Sequence, residues 1–228
     1  ARLIPFACWR ADDIRFEFGY SFVLPGIEIE LQHLAKLIED HPGCLLSIFG
    51  HADPVGNDEY NKQLSGRRAQ AIYGMLVRDE KLWEELFSQP FGGDNWGNKT
   101  IQIMLDALGY DPGPINGVMG EQAKAAVKEF QTKNGLTADG VAGTNTRKKL
   151  FRAYMDLLCG PRLELKKEED FLARGADSHG KGDYQGCSEF NPVLIFSQQD
   201  QQRFEQDQDK TERNTANAPN RRVIVLLF

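Results

Sequence analysis

No apolar run in this chain of 228 residues is long enough to cross a bilayer, so a membrane-spanning helix within it is excluded. It also lacks any extended Lys/Arg cluster. With Lys+Arg at 27 against Asp+Glu at 33, the formal charge is -6. Nucleic acid is therefore not expected as a partner, because phosphate contacts need a basic face. Recognition has to come from local groups rather than from net charge. The cysteines, Cys8, Cys44, Cys159 and Cys187, are scattered and have no C-x-x-C spacing. They make a poor metal set, and their pairing is left open by the sequence. Cys44, in an apolar run, reads equally well as a buried thiol. The chain opens on Ala1 without a leader pattern, and any targeting segment is expected to lie outside it. What is present, 41% hydrophobic and 26% charged residues, suits a globular chain with one or two cored domains.

The strongest local signal runs from Ile48 to Arg68, I-F-G-H-A-D-P-V-G-N-D-E-Y-N-K-Q-L-S-G-R-R. Cys44 to Phe49 is a short apolar run bounded by Pro42-Gly43 and Gly50, which predicts a buried strand. Asp53 then leaves the strand's C-terminal end in a loop, where functional groups of open α/β sheets tend to sit. From Asp58 to Val77 the pattern is helical, with Ala69, Ile72, Tyr73 and Leu76 as the buried stripe. Asn61, Ser65 and Arg68 share a second stripe and can point together, whereas Arg67 is rotated by roughly 100° and faces elsewhere. An acid and a guanidinium are thus brought toward one place. They either grip a zwitterionic ligand or pair with each other as a structural salt bridge.

G-H-A-D-x-x-G-x-x-x-Y-N-x-x-L-S-x-R-R-A resembles the signature of the OmpA-like C-terminal domain, the peptidoglycan-binding module of OmpA, Pal and MotB type proteins. The resemblance extends upstream, where Phe16 to Pro25 looks like the family's first strand and the loop into a helix carrying Ile27, Leu31, Leu34 and Ile38. Downstream, Gly186 to Val193 is similar to its G-x-x-E-x-x-P-V loop and Asn220 to Val225 to its closing strand. Two departures are Ala52, often Thr in the family, and Gly19, often Asp. The second leaves backbone N–H groups as the expected donors there. By this resemblance Asp53 takes the ammonium and Arg68 the carboxylate at one end of diaminopimelate in the stem peptide. A bidentate Arg–carboxylate pair is directional and strong. Asn61 orients the ligand or loop, and Gly19, Tyr20, Leu64 and Arg222 complete the implied ligand-binding set. Arg221 or Arg222 could equally be a solvated strand charge.

Between these parts lies a different unit. Asn116-Gly117-Val118-Met119-Gly120 and Asp139-Gly140-Val141-Ala142-Gly143 repeat the form [N/D]-G-V-x-G. Periodicity predicts a helix from Asn98 to Gly109, another from Glu121 to Asn134, and a third behind Thr144 as N-cap, ended by Gly160-Pro161. The run from Ile101 to Leu150 resembles the peptidoglycan-binding domain type 1 family found beside many wall hydrolases. Whether it binds wall polymer or serves as a spacer or docking surface stays open. The expected fold is α+β: an OmpA-like βαβαβ domain over residues 1–90 and 161–228, interrupted by a three-helix all-α domain over 91–160. Ser197 to Asn217, rich in Gln, Asp and Glu, is expected as a solvated loop or frayed helix.

The expected function is non-catalytic peptidoglycan binding that anchors an envelope or secretion-apparatus assembly, in the periplasm or cell envelope, outer-membrane associated or secreted. No cofactor or metal is expected. His51 beside Asp53 suggests a loop-ordering histidine rather than a ligand. The competing enzymatic reading rests on Ser178-His179-Gly180 followed by Gly186-Cys187-Ser188, similar to the His/Cys motif of L,D-transpeptidases, with Cys187 as nucleophile and His179 lowering its effective pKa. Against it, Ser188-Glu189-Phe190 stands where that family places an Arg.

Overall fold

In the computed structural model residues 3–16, 19–53, 57–176, 182–204 and 210–228 are described. Strands β1 (Ala7–Asp12), β2 (Leu46–His51), β3 (Tyr184–Gly186) and β4 (Arg222–Leu227) form a sheet in the order β1-β4-β2-β3. β4 runs antiparallel to β1 and β2, and β3 joins β2 in parallel. Alternation along the strands sets the buried face. Trp9 and Ala11 sit in register with Val225 and Val223, all four buried, while Cys8, the residue before Trp9, is exposed.

The first strand differs from expectation. Phe16 makes only an isolated bridge to Val23, and Glu17 and Phe18 lie outside the described residues. The strand is Ala7–Asp12 instead, because Trp9 and Ala11 supply the period-2 face that β4 requires. Phe16, Phe22 and Val23 are buried, and Phe22 packs against Trp83, Trp96 and Tyr154.

Two helices follow the first two strands, α1 (Glu28–Asp40) and α2 (Asp58–Leu76), and α2 packs across β2 and β3. Its close approach depends on glycine. A Cβ on Gly50 would meet the Ser65 carbonyl oxygen at 1.9 Å, and one on Gly186 would meet the Lys62 oxygen at 2.4 Å. The stripe of Ala69, Ile72, Tyr73 and Leu76 is buried as its spacing predicts. Next comes α3 (Glu80–Ser88), which periodicity did not single out. The Asp79 side chain accepts from Lys81 N at 2.9 Å to start it, and Trp83 and Leu86 are its buried residues.

The helical unit consists of α4 (Asn98–Ala107), α5 (Glu121–Lys133) and α6 (Thr144–Cys159), as the sequence predicts, except that Gly143 occupies the cap position and Thr144 is the first helical residue. Its repeat has a structural reason. Buried Gln102 accepts from Gly117 N at 2.7 Å and donates to Val118 O at 3.0 Å. Buried Gln131 treats the second loop alike, accepting from Gly140 N at 2.9 Å and donating to Val141 O at 3.1 Å. One amide per loop thus satisfies backbone groups that burial would otherwise leave unpaired.

The unit shares its core with the sheet layer, since α6 packs on α1, α2 and α3. Phe22 lies 5.1 Å from Trp96 and stacks on Tyr154 at 5.7 Å, and Tyr154 Oη donates to Val23 O at 3.0 Å. The chain returns through α7 (Lys167–Asp170) to β3, then through α8 (Gln198–Phe204) and α9 (Lys210–Asn217) to β4. Among the described residues no helix is long and apolar enough to cross a membrane. All four cysteines are free thiols.

Candidate functional site

Two residues beyond the end of β2, Asp53 enters a cavity of about 330 Å³ whose walls come from the β2 exit loop, α2, α9 and Arg221, the residue before β4. Gly19, Asn61, Leu64 and Arg68 line it as well, together with His51, Ser65, Arg213 and Arg221. The helical stripe that carries Asn61, Ser65 and Arg68 thus does converge on one wall. Asn61 Nδ2 donates to the Asp53 carbonyl at 3.1 Å and fixes the loop that presents the carboxylate.

Among the described residues, Asp53 and Arg68 are not paired with each other. Arg221 Nη1 donates to Asp53 Oδ2 at 2.5 Å and its Nε to Asp13 Oδ2 at 2.9 Å. Arg68 Nη1 donates to Asp13 Oδ1 at 3.0 Å, its Nε to the Tyr20 carbonyl at 2.9 Å, and its guanidinium lies 4.9 Å over the Phe16 ring. Asp13 therefore bridges the two guanidiniums, while Tyr20 contributes its carbonyl to holding Arg68 rather than a side chain to the cavity lining. Complete burial lowers the Arg68 pKa, and Asp13 opposes that shift. Burial also lowers that of Arg221, but its hydrogen bond to Asp53 and its pairing with Asp13 carry it above the ordinary value.

Arg222 does not line the cavity. Its Nη1 donates to Asn220 O at 3.0 Å and its Nη2 to Asn191 O at 2.7 Å. Consecutive residues entering a strand point to opposite sides, so only one of the two arginines can face the cavity. The structure gives that place to Arg221. Arg67 is equally removed, bound by the carboxylate of Asp94 and donating to Gln89 O at 2.8 Å and Leu86 O at 3.0 Å.

His51 Nδ1 lies 2.9 Å from the Phe190 carbonyl, which ties the β2 exit to the loop after β3. Burial lowers its pKa, with the positive charge of Arg222 acting in the same direction. Among the described residues no group of three or more His, Cys, Asp or Glu side chains is placed to hold a metal. Cys187 follows β3, and burial raises its thiol pKa. Ser178, His179 and Gly180 lie outside the described residues.

Asp13, Arg213, Asn214 and Arg221 are among the residues at the site that the sequence does not place there. Asp13 and Arg221 are 208 positions apart. Only the family-like N-R-R-V at the closing strand marked the region of Arg221, and no local pattern marks Asp13.

Family models match two consecutive segments, the OmpA family over residues 15–100 and the family described as "Putative peptidoglycan binding domain" over residues 98–150. The chain is 36% identical over 67 residues to outer membrane porin F of Pseudomonas fluorescens, covering 29% of this chain and 21% of that protein. It is 40% identical over 82 residues to outer membrane protein 41 of Porphyromonas gingivalis, covering 36% of this chain and 21% of that protein. A longer, weaker likeness, 26% over 164 residues, covers 72% of this chain and 36% of the N-acetylmuramoyl-L-alanine amidase CwlM of Mycobacterium tuberculosis. The chain thus spans only about a fifth of the two outer membrane relatives, at 21% of each. Its likeness is thus to the OmpA family over residues 15–100 and to the described peptidoglycan binding domain over 98–150.

Proposed function

We propose that this chain binds peptidoglycan without cleaving it, with the cavity taking the free end of diaminopimelate in the stem peptide. Asp53 receives the ammonium and Arg68 the carboxylate. The observation that carries this reading is that both residues line one cavity and answer to different partners, Asp53 to Arg221 and Arg68 to Asp13. Arg68 commits Nε and Nη1 to Tyr20 and Asp13, which leaves Nη2 as the guanidinium edge to meet a carboxylate. Asn61 holds the Asp53 loop in register and Leu64 gives an apolar wall for the ligand's methylene chain.

The outer membrane names of two relatives support an envelope location, where wall binding would anchor a larger protein or assembly. The amidase relative supports peptidoglycan as the polymer at issue, and its own name places cleavage at N-acetylmuramoyl-L-alanine. The transpeptidase alternative finds less support. A cysteine nucleophile works as a thiolate, and burial moves Cys187 away from that state.

A titration with two stem peptides tests the reading, one with diaminopimelate and one with lysine at the third position. Lysine keeps the ammonium and lacks the second carboxylate, so Arg68 would lose its partner. The diaminopimelate peptide should bind at least tenfold more tightly, the lower end of what a charge-assisted pair contributes. Neither peptide should be cleaved. Equal affinity, or turnover dependent on Cys187, contradicts the proposal.

A further inference from the structure

The cavity holds more positive charge than an amino-acid zwitterion can use. Its guanidiniums are Arg68, Arg213 and Arg221, whereas the carboxylates that answer them are Asp53 and, from behind the wall, Asp13. With burial holding His51 toward its neutral form, the guanidiniums lining the cavity outnumber these carboxylates among the described residues.

Among these guanidiniums Arg213 stands apart. It reaches the cavity from α9, and Nη1 donates to the Phe204 carbonyl at 3.1 Å, a neutral acceptor. Its Nε is buried and has no hydrogen-bond partner, one of two such side-chain atoms among the described residues, the other being Glu30 Oε2. A buried donor left without an acceptor is costly and rare, and it marks a guanidinium whose charge is answered only by a neutral carbonyl while the residue lines the cavity. The helix of Arg213 is bonded to the site's neighbourhood. Arg221 Nη2 donates to Asn214 O at 2.7 Å, and Asn217 Nδ2 donates to Arg213 O at 3.1 Å, so the residue that engages Asp53 also bonds the neighbour of Arg213 on α9.

We infer that the cavity binds a ligand carrying a second carboxylate beyond its ammonium–carboxylate end, and that Arg213 receives it. The inference rests on the proposed reading of Asp53 and Arg68. It adds a preference for a ligand of net charge about -1. A diaminopimelate acylated on its other amino group, with the carboxylate beside that amide still free, has this chemistry. The same compound with that carboxylate converted to a carboxamide has the same size and shape but lacks the charge.

These two compounds, the N-acyl free acid and its carboxamide, are the probes for calorimetric titration against the full chain and against Arg213→Gln. The wild-type chain should favour the free acid roughly tenfold, as expected for one charge-assisted hydrogen bond in a partly open site. In Arg213→Gln the ratio should fall to near one. The preference should also shrink as salt is raised. Equal wild-type affinity for both compounds overturns the inference and leaves the reading of Asp53 and Arg68 standing. A preference that survives in Arg213→Gln also overturns it, because the second carboxylate would then have another partner. Binding of neither compound by the wild type removes the diaminopimelate reading itself, and the inference with it.

Discussion

Arg68 and Arg221 share one carboxylate: Asp13 accepts from Arg68 Nη1 through Oδ1 at 3.0 Å and from Arg221 Nε through Oδ2 at 2.9 Å. Arg68 is 2% exposed, so its charge is held in low dielectric by an acid that comes from the turn after β1. Arg221 extends the chain of pairs to Asp53. The cavity is therefore pre-organised by an internal counter-ion. The proposed ligand would complete this arrangement without having to assemble it, which would lower the ordering cost of association.

Replacing Asp13 by Asn keeps the shape and removes the charge between two guanidiniums. Breaking a buried ion pair from one side costs about 3–5 kcal/mol. Because Asp13 is only partly buried, a loss of about 2 kcal/mol in stability is expected, read as a lower denaturation midpoint. Stem-peptide binding should weaken as well, because Arg68 would no longer be held in place. Unchanged stability and affinity would show that the bridge contributes nothing.

Asp94 offers a contrast, because it stabilises the fold near the site without lining the cavity. It is 0% exposed and accepts from Ser21 N at 2.8 Å and Ser21 Oγ at 2.7 Å while also binding Arg67. Asp94→Ala should cost about 3–5 kcal/mol by stranding the Arg67 charge and the Ser21 donors. At temperatures where the variant stays folded, its peptide affinity should remain within about twofold of wild type, since its hydrogen-bond partners Ser21 and Arg67 do not line the cavity. A proportional loss of both would place Arg67 and Asp94 in the binding site after all.

Acid should destabilise the chain partly through His51. Its folded-state pKa lies below the ordinary value of 6.5 because of burial, so the unfolded chain binds more protons in that window. Stability is then full above about 6.5 and declines as pH falls from there through the folded pKa. His51→Gln should flatten that decline in chemical denaturation measured between pH 5 and 7. An unaltered pH profile in the variant would assign the acid sensitivity elsewhere.

The helices and the Asp53–Arg68 wall were legible because each rests on a local period. Asn61, Ser65 and Arg68 converge by helical spacing alone, and the spans of α4, α5 and α6 follow from apolar repeats between glycines. The remaining features depend on contacts between distant segments. β1 is a short strand of small and mixed residues, Ala-Cys-Trp-Arg-Ala-Asp, whose alternation gains meaning only beside Val223 and Val225. Arg221 and Arg222 are adjacent, and only the register of β4 decides which one faces the cavity. Arg213 lies in a stretch whose polarity reads as solvated, and its buried Nε could not be seen before α9 was placed against the site. The glycines at positions 50 and 186 were visible in the family-like motifs, but their role as contact points for α2 was not.

The most direct test of the central claim is titration of a diaminopimelate-containing stem peptide against wild type, Asp53→Ala and Arg68→Ala, with circular dichroism on each chain to establish folding. Loss of one partner of a desolvated charged contact costs about 2–5 kcal/mol, which corresponds to a fall of roughly 30-fold or more in affinity. The account predicts that fall in both variants, with folded spectra retained. Affinity equal to wild type in both folded variants would contradict it.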